Sequence, residues 1–248
     1  MHLPAQMTPA LFPPAEGAHH TWPTANFTNP ETRNWAAPAI VIALFLVTFF
    51  VFCARIWARF RITHTSGVDD WLIIASMPTL LGLTIATGLA LRKYGFHLHI
   101  YDQTPLTDIT IRQITLAIEI IYISSTTLTK ISIFTFYRRI TTSVINRKFI
   151  IAVWASIAFI AVYGVSSILA LVFTCSPVEA YWYRFTASWL KSHKYTCHDE
   201  FLALIIIIST STMQYLIACL LPMLVVAKLR LPMRQKIGLS AVFLIGLG

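Results

Sequence analysis

Long apolar runs separated by short basic segments dominate the chain. The most informative run is Ile114 to Arg139, with Arg112 and Arg138 near its ends. As a helix rising about 1.5 Å per residue it covers roughly 39 Å, enough to cross a bilayer with some tilt. It is not uniformly apolar: at roughly 100° per residue, Glu119, Tyr122, Thr126, Lys130, Ile133 and Tyr137 share one face. A charge turned toward lipid costs several kcal/mol, so this face is predicted to look into a helix bundle or a wet cavity. Glu119 and Lys130 lie about 16 Å apart along the axis and cannot pair with each other. Glu119, Tyr122 and Lys130 are therefore candidates for a polar network that lines a ligand cavity, carries protons or is only structural. Lys130 has an alternative, because its long side chain can snorkel toward a boundary about 12 Å away; Glu119 is shorter and less able to do so.

The same pattern places the other elements. Complete spans are predicted at about 35–57, 70–91, 113–137, 149–173 and 201–227. Asp69 and Asp70 open the second span where a cap and a first-turn acid belong. Pro38 is tolerated in the opening turn of the first span, Pro78 is expected to kink the second, and Pro222 interrupts the fifth. Residues 92–113 read as a polar loop, and 174–200 as a long loop containing Cys175 and Cys197. The run at 237–248 is too short for about 30 Å of hydrocarbon, so it reads as a partial sixth span, from a fragment, an early end or partial insertion. Residues 1–34 are polar and Pro-rich with no basic-then-apolar leader, and read as a disordered tail rather than a cleavable signal.

Composition fixes the class. Of 248 residues, 56% are apolar and only 12% charged, about half the charged fraction of soluble domains, and mean hydropathy is +0.68. The expected fold is an all-α, multi-pass transmembrane helix bundle. The formal charge of +9 does not indicate nucleic acid, because the basic residues sit at the ends of apolar runs and form no basic-aromatic face. Arg55, Arg59, Arg61, Arg138, Arg139, Arg147, Lys148, Lys228, Arg230, Arg234 and Lys236 follow the odd-numbered spans. The positive-inside rule puts those loops in the cytoplasm and the N-terminus on the extracellular or lumenal side of a plasma or internal membrane. The sequon Asn26-Phe27-Thr28 and both loop cysteines then fall on the outer side, where Asn26 is a glycosylation candidate.

Several segments, in their order and spacing, resemble the fungal rhodopsin-domain family of integral membrane proteins, which includes satratoxin-cluster type proteins and relatives of Pth-type receptors. They are Arg55-Ile56-Trp57-Ala58-Arg59-Phe60, Gly67-Val68-Asp69-Asp70-Trp71-Leu72, Glu119-Ile120-Ile121-Tyr122, and Thr129-Lys130-Ile131-Ser132-Ile133 with Phe136-Tyr137-Arg138-Arg139. Phe173-Thr174-Cys175-Ser176-Pro177-Val178, Cys197-His198-Asp199 and Leu221-Pro222-Met223 complete the set. The resemblance runs from about Val41 to Gly248 and implies a seven-span, receptor-like outline, in a family most of whose members have no assigned activity. The chain departs from the family in its truncated sixth span and missing seventh. It also has Tyr215 where the family commonly has an Asp, seven residues before the proline of the fifth span. The family name does not imply retinal, whose Schiff-base lysine would be expected in the missing last span.

The candidate sites follow. Cys175 and Cys197 are either a disulfide closing the outer loop or unrelated thiols, and an oxidising face favours the bridge. Cys53 and Cys219 read as packing residues. Asp69, Asp70, Arg138 and Arg139 reach the cytoplasmic boundary, either as an ionic latch between the second and third spans or as separate caps and anchors. A metal site would need several of His97, His99, His193 and His198 to converge, and ordinary surface histidines are the simpler reading. No catalytic motif is present, so neither enzymatic activity nor a cofactor is expected. The expected function is receptor-like sensing of an unknown ligand, with membrane lipids around the spans and a signalling partner at the cytoplasmic basic loops. The alternative is a transporter or accessory membrane protein of a secondary-metabolite pathway.

Overall fold

The computed structural model of the chain describes residues 35–63, 67–98, 105–141, 147–184 and 186–228. The N-terminal tail with Asn26, the loop residue His99, the basic residues Arg230, Arg234 and Lys236, and the run at 237–248 lie outside the described residues.

The fold is all-α and multi-pass. Its helices are α1 (Ala36–Trp57), α2 (Val68–Arg92), α3 (Pro105–Thr141), α4 (Arg147–Val172), the short α5 (Ala180–Tyr183) and α6 (Ala187–Ser192), and α7 (Glu200–Lys228). Five of these elements are long and apolar enough to cross a membrane: Ala36–Arg61, Val68–Arg92, Thr107–Arg139, Ile150–Val172 and Glu200–Ala218. Large apolar side chains along them stand outside the protein's own packing, Phe50 being 75%, Val162 68% and Phe201 66% exposed. On a water-soluble protein such surfaces would drive association, whereas in a bilayer they face hydrocarbon.

Two boundaries differ from the sequence pattern. Residues 105–113, expected in a loop, form the first turns of α3. Pro105 suits the first helical position, where its missing N–H costs nothing, and Asp108 complements the positive end of the helix dipole. Hydropathy alone missed these turns because they are polar. At the other difference, α1 continues past Trp57 as a π-helical segment, Ala58–Thr63. Pro78 lies inside α2, which continues through it. Asp199 caps α7, its Oδ1 accepting the backbone N–H groups of Phe201 at 3.0 Å and Leu202 at 3.3 Å.

Internal contacts gather the described residues into two compact units. One comprises Leu80–Tyr122, Leu171–His198 and the described part of Met1–Cys53; the other comprises Ala54–Thr79, Ile123–Ala170 and the described part of Asp199–Gly248. In the first unit, β1 (Cys175–Ser176) pairs antiparallel with β2 (Thr196–Cys197), and Cys175 is bonded to Cys197. Buried Cys175, Ala180 and Tyr181 pack there with Leu116, Trp182 and Trp189. The Arg112 guanidinium lies 5.2 Å from the Tyr181 ring centre. In the second unit, α3, α4 and α7 share a core of Phe134, Val153, Ile160 and Ala218. Gly164 of α4 approaches Thr127 of α3 so closely that a Cβ on the glycine would stand 2.6 Å from the threonine Oγ1. The Tyr163 hydroxyl donates to the Ile207 carbonyl of α7 at 2.6 Å. Small residues and cross-helix hydrogen bonds of this kind hold helices together where lipid removes the hydrophobic drive.

Candidate functional site

Two adjacent carboxylates at the start of α2 organise the second unit. The side chains of Asp69 and Asp70 are only 2% and 1% exposed. Arg55 lies at 3.7 Å from Asp69 and 4.0 Å from Asp70. Arg59, inside the π-helical segment, lies at 3.7 Å from each. Arg139, near the end of α3, lies at 3.4 Å from Asp69 and 3.8 Å from Asp70. The guanidinium groups of Arg55 and Arg59 also sit 5.1 and 4.9 Å from the centre of the Phe136 ring. Three arginines thus surround two carboxylates and leave one positive charge in excess. Asp70 caps as well, its Oδ2 accepting the Gly67 N–H at 3.1 Å. The backbone carbonyl of Asp69 accepts the Ser132 hydroxyl of α3 at 2.7 Å.

The structure brings together some of the residues grouped by sequence and not others. Asp69, Asp70 and Arg139 come together. Arg138 instead lies over the Trp154 ring at 4.8 Å and borders a cavity of about 530 Å³ beside the cluster, together with Gly67, Thr135, Arg139 and Ile150. Arg55 and Arg59, assigned by sequence only to the positive-inside set, supply four of the ion pairs. Their spacing of four residues, which puts both on one helix face, was the available signal.

Lys130 is the second feature of this unit. The residue is 2% exposed, and its ammonium turns to α7 rather than toward a helix end. It donates to Ser211 Oγ and Gln214 Oε1, both at 2.9 Å, and reaches the Ser211 carbonyl at 3.5 Å. The ring centre of Tyr215 lies 4.0 Å away. Tyr215 stands where the resemblance implied an acid, and among the described residues the ammonium meets ring electrons with hydroxyl, carbonyl and amide oxygens. Ser211, Gln214 and Tyr215 fall at i, i+3 and i+4, a polar stripe that the apolar run on either side conceals.

Glu119 and Tyr122 belong to the first unit, so the third span's polar face is divided between two environments. With Ile118, also on α3, they border a cavity of about 410 Å³ whose remaining walls come from α1 and α2. Those walls include Leu44, Phe45 and Thr48 on α1, and Leu83, Thr84 and Thr87 on α2. Of the histidines, His193 stacks on Trp189 with ring centres 4.7 Å apart. No group of His, Cys, Asp and Glu suited to a metal forms among the described residues.

The family model of the fungal rhodopsin domain matches residues 54–248. No curated protein and no solved structure matches the chain.

Proposed function

The chain belongs to the fungal rhodopsin-domain family of membrane proteins, and from that premise we propose that it is a receptor-like sensor rather than an enzyme. In this reading it signals by releasing the start of α2 from Arg55, Arg59 and Arg139. The N-terminus and the disulfide loop face outward or into a lumen, and the basic loops face the cytoplasm.

The observation that carries the proposal is the carboxylate cluster. Buried ion pairs contribute little net stability, because desolvation offsets attraction, yet breaking one partner costs about 3–5 kcal/mol. Such a cluster suits an element with two discrete states better than a permanent fastening. Its members come from three helices, so opening it moves helix ends relative to each other. The π-helical segment carrying Arg59 supports the same reading, since local π geometry is frequent at functional positions. The cavity bordered by Arg138 and Arg139 would give an acidic segment of a cytoplasmic partner a place to engage.

The test is a distance measurement in reconstituted protein. Spin labels at Val68 and Arg147, in a background with Cys53 and Cys219 replaced by serine, report the start of α2 against the start of α4. Asp70→Asn is expected to add a second, longer distance population. A single unchanged distance in a folded Asp70→Asn protein would sink the switch. Solute flux through vesicles carrying the parent protein would favour the transporter reading instead.

A further inference from the structure

We propose that the cavity around Glu119 binds an apolar amine: a molecule with a hydrocarbon body and one protonated nitrogen. The site is defined by its own chemistry and is occupied whether or not occupancy is signalled.

The cavity, about 410 Å³, lies within the range of small-molecule sites, roughly 300–1,000 Å³. Its walls on α1 and α2 are mostly aliphatic and aromatic, which suits a hydrocarbon body. The polar groups determine which head fits. Glu119 is the acid of the cavity, and among the described residues no Lys, Arg or His lines it. The hydroxyls of Thr48 and Thr84 donate within their own helices, to the carbonyls of Leu44 at 2.9 Å and Leu80 at 3.0 Å. Their oxygens therefore offer the cavity lone pairs rather than protons. The Tyr122 phenol and the Thr87 hydroxyl also line the cavity, but among the described residues the acid is its one ionisable carboxyl. An acid beside hydroxyl lone pairs favours a ligand that brings donors and positive charge, which describes an ammonium group.

A plain acyl chain fits less well, because it would lay hydrocarbon against a carboxyl and return no hydrogen bond. Access is from the membrane: Leu44 is 63% and Tyr122 45% exposed at the border of the cavity. An apolar amine that partitions into the bilayer reaches the opening directly. Glu119 lies about 18 Å along α3 from Thr107, well inside the span, where a charge pair is weakly screened.

The experiment uses the full chain in phosphatidylcholine nanodiscs and follows thermal unfolding by tryptophan fluorescence. Decylamine, decanol and decanoic acid are compared at matched loading of the bilayer. Decylamine is expected to raise the unfolding midpoint with saturation, and the other two to leave it unchanged. Glu119→Gln is expected to raise the half-saturating decylamine concentration about tenfold or more, as loss of a charged hydrogen bond implies. Thr84→Trp, which fills the cavity from α2 while keeping the acid, is expected to abolish the shift. Equal stabilisation by decanol, or an undiminished decylamine response in either variant, would overturn the proposal. Should Glu119→Gln fail to fold, Thr84→Trp decides the matter alone. None of these readouts depends on signalling, so failure here is separable from failure of the receptor reading.

Discussion

Gly67 is the residue on which the carboxylate cluster closes. A Cβ there would collide with Asp69 Oδ1 and stand 2.6 Å from Arg139 Nη1. The glycine is needed because its missing side chain leaves room for an ion pair, and its N–H is spent on Asp70. Gly67→Ala is therefore expected to destabilise by about 1–3 kcal/mol, the usual cost of forcing an extra carbon into a packed place. The informative measurement is a double-mutant cycle with Arg139→Gln, read by thermal unfolding. If both substitutions break the same contact, their effects fall short of additivity by about 0.5 kcal/mol or more. Strict additivity would place the effect of Gly67 elsewhere. At this scale one residue does two things: Asp70 caps α2 and also meets arginines from other helices.

Among the elements, the contact between α3 and α7 at Lys130 shows what a helix gains from an apolar neighbour with one polar stripe. Lys130 is held by neutral partners, Ser211 and Gln214, and by the Tyr215 ring. A hydrogen bond to a charged group contributes about 1.5–3 kcal/mol, so a cycle of Lys130→Met with Gln214→Leu is expected to show coupling of that order. Lys130→Met strands the Gln214 Oε1, Gln214→Leu leaves the ammonium with Ser211 but one acceptor short, and the pair removes both groups. A coupling near zero would mean that the ammonium takes its stabilisation from elsewhere. The existence of the long helices was legible because each carries an apolar run longer than a bilayer requires. The polar turns at 105–113 were not, since hydropathy detects lipid contact and not helicity. The cradle of Lys130 was hidden for a related reason: pairing between α3 and α7 depends on which helices become neighbours, and one helix's periodicity cannot report its neighbour. Arg55 and Arg59 were visible as basic residues, but their partners become apparent only when α1 and α2 are set side by side.

The whole molecule poses a question of direction across the membrane. Among the described residues, the basic side chains after the first and third spans have distinct structural roles. Arg55, Arg59 and Arg139 are committed to carboxylates, so part of the positive charge after the first and third spans is neutralised locally. Arg61, over Trp57 at 5.6 Å, and Arg138, over Trp154 at 4.8 Å, instead lie against tryptophans, residues enriched at membrane interfaces. The orientation rule counts lysines and arginines rather than net charge, so neutralisation within the folded bundle leaves the bias intact during insertion. We therefore expect a reporter fused after Arg147 to read cytoplasmic and one fused near Lys191 to read extracellular or lumenal. The joined Cys175 and Cys197 lie near the second site, and an oxidising face is where such a bond persists. The opposite readout at both sites would reverse the orientation and place the disulfide in a reducing compartment, while the carboxylate cluster would face outward. Changing Arg138, Arg147 and Lys148 together to glutamine is expected to lower the fraction of correctly oriented protein, because it removes basic charge without adding acid. An unchanged orientation in that variant would show that the other basic loops suffice to set the topology.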